Sequence, residues 1–245
     1  MVTNLLSLLQ LTDTTLPIGG YAHSYGLETY VQHGIVKDKP SAQEFVVNML
    51  QQNVQYTDAA FVSLAYDSAE QNNWEHLVKL NDECTAVKIP AEVRQASHKL
   101  GMRLVKVFET FSKGHITKQY KEAITTFLKP HYSIAFGIYA QALHINKEEA
   151  LTGFYYKAAV GMITNCVKLI PLGQQDGQEL LFSLQPLLKN LVQHSMQPDP
   201  DFIGMCCAGF DIRCMQHERL YSRLFMSLDV HLIITNFFKS SYKRN

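Results

Sequence analysis

Cysteine is scarce in this sequence and poorly arranged for the chemistry that depends on it. Five cysteines among 245 residues make an odd count for a disulfide framework, and no Cys-x-x-Cys pair occurs. Reduced thiols in a cytoplasmic setting are the simpler expectation. An excess of either charge is missing too, with Lys+Arg and Asp+Glu at 22 each. A sequence-independent grip on phosphates needs a basic field, so no nucleic-acid partner is expected. Long apolar runs are also lacking. The start, "MVTNLLSLLQL", has no basic lead and is interrupted by Ser7 and Gln10. Neither a signal peptide nor a membrane span is therefore expected. Period-2 strands are absent apart from the apolar, partly β-branched "HLIITNFF" at 231–238.

What the chain does have is helical periodicity. The apolar fraction of 47% and charged fraction of 18% fit an ordinary globular protein with a substantial core. In 90–111, Val93, Ala96, Leu100, Leu104, Val107, Phe108 and Phe111 recur at steps of three and four, and Pro90 suits the first helical position. Residues 41–54 repeat the pattern, after which Thr57 and Asp58 offer a new cap before Phe61. A further stretch begins at Thr117 and stops before Pro130, and 134–143 is apolar like a buried helix. Residues 147–169 make a long, largely apolar segment, placed centrally; 174–193 is leucine-rich, with Pro186 set to kink or split it. The last patterned helix is 210–226. His33 before Gly34 reads as a helix end, and His98, His144 and Trp74 read as structural. The expectation is one all-α compact domain of about nine or ten helices.

The chemical signatures in the chain are incomplete. Gly19–Gly20 is followed by Tyr21 rather than by the Lys-Ser/Thr of a phosphate-binding loop, and no βα units surround it. "AHSYG", 22–26, resembles a nucleophile elbow, but that turn needs a strand entering and a helix leaving on a parallel sheet. The alternative is that Ser24 caps a helix starting near Gly26. Cys206, Cys207, Cys214 and His217 offer thiolate and imidazole, which suit zinc or nickel, yet their spacing is that of one helix face. A di-metal bundle needs Glu-x-x-His, and no glutamate here has a histidine three residues on.

Three segments carry unusual residues: "LPIGGYAHSYGLE" at 16–28, "NCVKLIPLGQQDGQ" at 165–178 and "MQHERLYSRLFMS" at 215–227. Together and in this order they resemble the three signature blocks of the F-type urease accessory proteins, the UreF family. The resemblance runs from about Leu5 to Ser227. It implies an all-helical, homodimeric, non-enzymatic adaptor with no cofactor. With a D- or H-type accessory protein, such an adaptor recruits a nickel-binding GTPase accessory protein to apo-urease, and the assembly delivers nickel to the carbamylated-lysine active site.

By the same resemblance, Pro17, Gly19, Gly20, Tyr21, His23, Ser24, Gly26 and Glu28 are the partner-binding residues of the first block. Lys168, Gln174, Asp176 and Gly177 belong to the second, on the GTPase-facing or dimer side. His217, Glu218, Tyr221 and Arg223 belong to the third, Arg213 just ahead of it is a further partner-binding candidate, and Tyr21 is expected near Arg223 at the D/H-type contact. Glycines permit a tight bend and close approach, and tyrosines suit half-buried anchors. The domain is expected to span 1–227. Residues 228–245, "LDVHLIITNFFKSSYKRN", match no block and form an extension. Two rivals stay open: an all-α small-molecule enzyme with a pocket near 17–28 lined by Tyr21, His23 and Glu28, and a direct nickel carrier using Cys206, Cys207, Cys214 and His217.

Overall fold

The computed structural model describes residues 2–20, 24–112, 114–205, 207–221 and 223–224, without the side chains of Val2 and Thr3. Among these residues there are helices and turns and no strand. The α-helices are α1 (Val2–Thr12), α2 (Leu27–Gln32), α3 (Lys39–Asn48), α4 (Ala60–Glu70), α5 (Trp74–Val87), α6 (Ala91–Phe108), α7 (His115–Thr126), α8 (Tyr132–Ala142), α9 (Lys147–Leu169), α10 (Gln174–Ser183), α11 (Gln185–Ser195) and α12 (Ala208–His217). A π-helical segment, Met49–Ala59, joins α3 to α4 in one continuous rod, so the twelve α-segments form eleven helices. A 3-10 turn, Pro200–Phe202, precedes α12.

Helix α8 lies at the centre, and every residue from Ser133 to Ala140 is buried. It runs between α4 and α6 and also meets α5, α7 and α9. The close crossing with α4 depends on Gly137, where a Cβ would collide with the Val62 backbone and the Ala65 side chain. Phe136 is fully enclosed and packs edge-on against Phe154 of α9, 5.0 Å between ring centroids. Helix α9 is the second spine, touching α1, α3, α10, α11 and the π-segment. These two apolar segments, 134–143 and 147–169, are the ones that the sequence marks as buried and central.

Helix ends follow local chemistry in some places and not in others. Asp38 caps α3 through Ser41 in a reciprocal capping box. Pro186 sits in the first turn of α11, with Leu184 as the break after α10, so this stretch is split as expected. His33 closes α2 and Gly34 follows with φ 67°. Pro90 is the N-cap of α6 rather than its first helical residue. The expected new cap at Thr57–Asp58 does not form. The Thr57 hydroxyl instead donates to the Asn53 carbonyl at 2.7 Å, Asp58 pairs with Lys88 at 2.8 Å, and the backbone stays helical.

The last helix is shorter than its pattern. Expected over 210–226, it stops at His217, where Arg219 and Leu220 donate back to Gln216 and His217 in three-residue turns. Tertiary pull explains the early stop. Arg223 and the Leu224 amide turn away to reach carboxylates on other helices. Among the described residues no helix is long and apolar enough to cross a membrane. The strand-like 231–238 and the extension 228–245 lie outside the described residues.

Candidate functional site

Residues of the first two blocks, with Phe210 from just ahead of the third, line one cleft of about 350 Å³. The first block contributes Ile18, Gly20, Ser24 and Tyr25, the second Asn165 and Lys168, and the segment leading into the third contributes Phe210. Leu100 of α6 and Phe154 of α9 add apolar wall. The wall is mostly apolar, and its charged groups are Asp58, Lys88, Lys157 and Lys168. Lys88 and Asp58 are paired at 2.8 Å, with Lys88 almost wholly enclosed. Lys157 of α9 is half-buried, donates to the Leu11 carbonyl at 3.4 Å and lies 5.8 Å from the centre of the Tyr132 ring. Burial pushes its pKa down to about 8, against a weaker opposing pull from Asp13.

Beside the cleft the first and third blocks are fastened by a buried polar knot. His217 Nε2 lies 2.6 Å from Glu28 Oε2, and its Nδ1 lies 2.8 Å from Glu92 Oε2. Arg223 Nη1 donates to Glu92 Oε1 at 2.7 Å, and the Leu224 amide donates to Glu28 Oε1 at 2.6 Å. His217 and Glu28 are 3% and 5% exposed, so these contacts are made away from water. Both ring nitrogens face carboxylate oxygens, which is satisfied only when both carry protons. Burial opposes that charge, but hydrogen bonds and attraction from Glu92 and Glu28 outweigh it and raise the His217 pKa above the ordinary imidazole value.

Local backbone explains how the two blocks come so close. Gly26, the N-cap of α2, has φ 77°, a region that L side chains adopt at a cost. A Cβ there would stand 2.9 Å from Cys214 Sγ and 3.3 Å from the Cys214 backbone nitrogen. Glycine therefore lets α2 lie directly on α12. Thr29 adds a bond from its hydroxyl to the Arg213 carbonyl at 3.0 Å.

Of the first block, Pro17 is exposed and Gly19 is buried with φ 83°, while Tyr21 and His23 lie outside the described residues. Ser24 does not cap α2 as expected. Gly26 holds that position without a side-chain bond, and the buried Ser24 Oγ lies 3.3 Å from His217 Nε2. In the second block Lys168 is exposed and lines the cleft, whereas Gln174, Asp176 and Gly177 do not. Gln174 is exposed; Asp176 accepts from the Gly173 amide at 3.2 Å and pairs with Lys39 of α3 at 2.9 Å; Gly177 packs against Val167 and Ile163.

Just ahead of the third block Arg213 reaches Gln216 at 2.8 Å and lies 5.9 Å from the centre of the Tyr30 ring. Glu218 accepts from the Glu92 amide at 3.3 Å, and Tyr221 is fully exposed. Arg213 and His217 are four apart on α12, yet the imidazole turns inward while Arg213 stays partly exposed. Glu92 and Lys157 belong to no block. An acid in the first turn of a helix and a lysine in a long amphipathic one are commonplace, so neither carries a signal in the sequence.

The chemistry open to this arrangement is narrow. A Ser–His–acid constellation needs an imidazole nitrogen free to take the hydroxyl proton. Here Nε2 is held by Glu28 at 2.6 Å, so His217 is not available to Ser24 as a base. The Cys214 thiol is 2% exposed, and burial, reinforced by Asp211 and Glu92, raises its pKa far above the usual thiol range. It is therefore a poor source of thiolate. Cys207 is half-buried and Cys206 lies outside the described residues. Among the described residues no group of three or more His, Cys, Asp and Glu side chains is arranged to hold a metal ion.

Comparison with known proteins adds a family. The UreF family profile matches residues 36–185. A protein of Actinobacillus pleuropneumoniae serotype 5b (strain L20) called urease accessory protein UreF is 45% identical over 222 residues, covering 90% of this chain and 98% of its own length. One of the same name from Haemophilus influenzae (strain PittEE) is 44% identical over 227 residues, 92% of this chain and 97% of its own. A third, from Bacillus sp. (strain TB-90), is 34% identical over 227 residues, 92% of this chain and all of its own.

Proposed function

The chain belongs to the UreF family of urease accessory proteins, and from that premise we propose that it acts in urease maturation as a docking adaptor. With a D- or H-type accessory protein it recruits the nickel-binding GTPase to apo-urease. It catalyses no step itself, and nickel is cargo for the assembly it helps to build. A homodimer is part of this reading.

One observation carries it: segments far apart in sequence meet at one cleft, and the imidazole and carboxylates beside it are committed to one another. A reacting centre needs at least one acid, base or nucleophile left free to act. His217, Glu28, Glu92 and Arg223 instead fix the positions of the first and third blocks. What remains at the surface is contact chemistry: Tyr25 at 37% exposure, Lys168, Tyr221 and Leu224. Tyrosine side chains of this kind are frequent anchors at protein interfaces.

The test is capture of the D/H-type protein by the purified full chain. Tyr21→Asp is expected to abolish capture while helicity and melting stay near wild type, and Arg223→Ala is expected to weaken it. Unchanged capture in both variants would overturn the reading.

The cleft also supports a second reading, a small-molecule site, because its volume and largely apolar wall suit a compact ligand. Turnover of a small metabolite by the purified chain would favour that reading over docking. The nickel-carrier reading predicts stoichiometric nickel in equilibrium dialysis, lost in Cys214→Ala. With the thiol held protonated, no such site is expected.

A further inference from the structure

Glu92 stands outside all three blocks, yet three of its contacts are made to the third. Its amide donates to Glu218 Oε1 at 3.3 Å, its Oε2 faces His217 Nδ1 at 2.8 Å, and its Oε1 accepts from Arg223 at 2.7 Å. Glu28 of the first block mirrors it, with one oxygen on His217 and the other on the Leu224 amide. The stretch that follows α12, which carries the exposed Tyr221 and Leu224, is thus tied down by two carboxylates closed around one imidazole.

We infer that Glu92 is a positioning residue for partner docking: acting through His217 and Arg223, it holds the third block in register with the first. The inference rests on the docking reading above. A charge count shows what the hold requires. Two carboxylates face one guanidinium and one imidazole, so the knot is balanced only with His217 protonated. A neutral imidazole has one N–H, so one carboxylate would meet a lone pair instead of a donor. The knot would also carry an uncompensated buried negative charge.

The helices packed against α12 are α2 and α6, and they present Glu28 and Glu92 to the imidazole. Arg223 acts through Glu92. On α12 itself Cys214 keeps its proton, Arg213 bonds Gln216, Asp211 lies in the first turn, and Glu218 turns to the Glu92 amide. None of these supplies a second cation to replace the imidazolium. Loss of the His217 proton therefore loosens the third block, and Glu92 sets the pH at which that happens.

The experiment uses the full chain as wild type, Glu92→Gln and Glu92→Asp. Three quantities are followed between pH 5.5 and 9: the His217 imidazole resonance, hydrogen exchange of the Leu224 amide, and capture of purified D/H-type accessory protein. In wild type, His217 titrates above its ordinary value, and amide protection and capture fall together as it loses its proton. Glu92→Gln moves all three midpoints down by about one unit or more, because one of the two carboxylates favouring the imidazolium is gone. Glu92→Asp, which keeps the charge, restores most of that shift.

A Glu92→Gln variant that melts earlier but keeps the wild-type midpoints would overturn the inference, reducing Glu92 to packing. So would a His217 that titrates at or below the ordinary value. If the Leu224 and His217 profiles behave as expected while wild type captures no partner at any pH, the docking reading fails and the knot stands as a purely internal fastening.

Discussion

The residue that most constrains this surface has no side chain. Gly26 is set at φ 77°, with Cys214 against the space where a Cβ would be. Gly26→Ala is expected to destabilise the fold by about 1–3 kcal/mol, through backbone strain and overpacking together. Urea unfolding checks it, and an unchanged midpoint would show that α2 and α12 can separate freely. His217 is the second constraint, and its effect has a sign. Its folded pKa is raised, so its contribution is complete below the ordinary unfolded value of about 6.5 and disappears as pH climbs through the folded one. Unfolding midpoints should therefore fall in wild type as pH rises from the unfolded value through the folded one, and this part of the pH dependence should be missing in His217→Gln. The blocks named both residues without indicating that one is a packing requirement and the other the centre of an ion cluster. Glu92 was invisible for a physical reason: its role depends on a tertiary approach that local sequence does not encode.

At the scale of elements, legibility followed periodicity. Residues 134–143 and 147–169 read as buried helices and are α8 and α9, because long apolar patterns leave one way to be satisfied in water. Pro186 marked the α10–α11 break for an equally local reason. Misreadings came where tertiary contacts override local preference. Thr57 and Asp58 look like a cap, but Asp58 is taken by Lys88 and the Thr57 hydroxyl by the Asn53 carbonyl, so the rod runs on through its π-helical segment. The 210–226 pattern overran because Arg223 and Leu224 leave the helix for Glu92 and Glu28. Two element-scale predictions follow from packing. Phe136→Ala, at the centre of α8, should cost about 3–5 kcal/mol in thermal or urea unfolding. Lys39→Ala, which frees Asp176 and Glu179 of α10 from a largely solvated pair, should leave the unfolding midpoint nearly unchanged.

Across the whole molecule, three stretches that are separate in the chain become one surface, backed by α6, α8 and α9. A pocket near 17–28 was among the readings that the sequence left open, but the walls that α6 and α9 add to the cleft come from contacts that no single block contains and were not legible. In the same assembly, among the described residues, the imidazole and the carboxylates nearest Ser24 are used to hold the blocks together. The most direct test immobilises the D/H-type accessory protein and measures how much nickel-binding GTPase is retained, with and without this chain, in the presence of GTP. The docking account predicts retention only when the chain is present and its loss with Tyr21→Asp. Equal retention of the GTPase in the absence of the chain would contradict it.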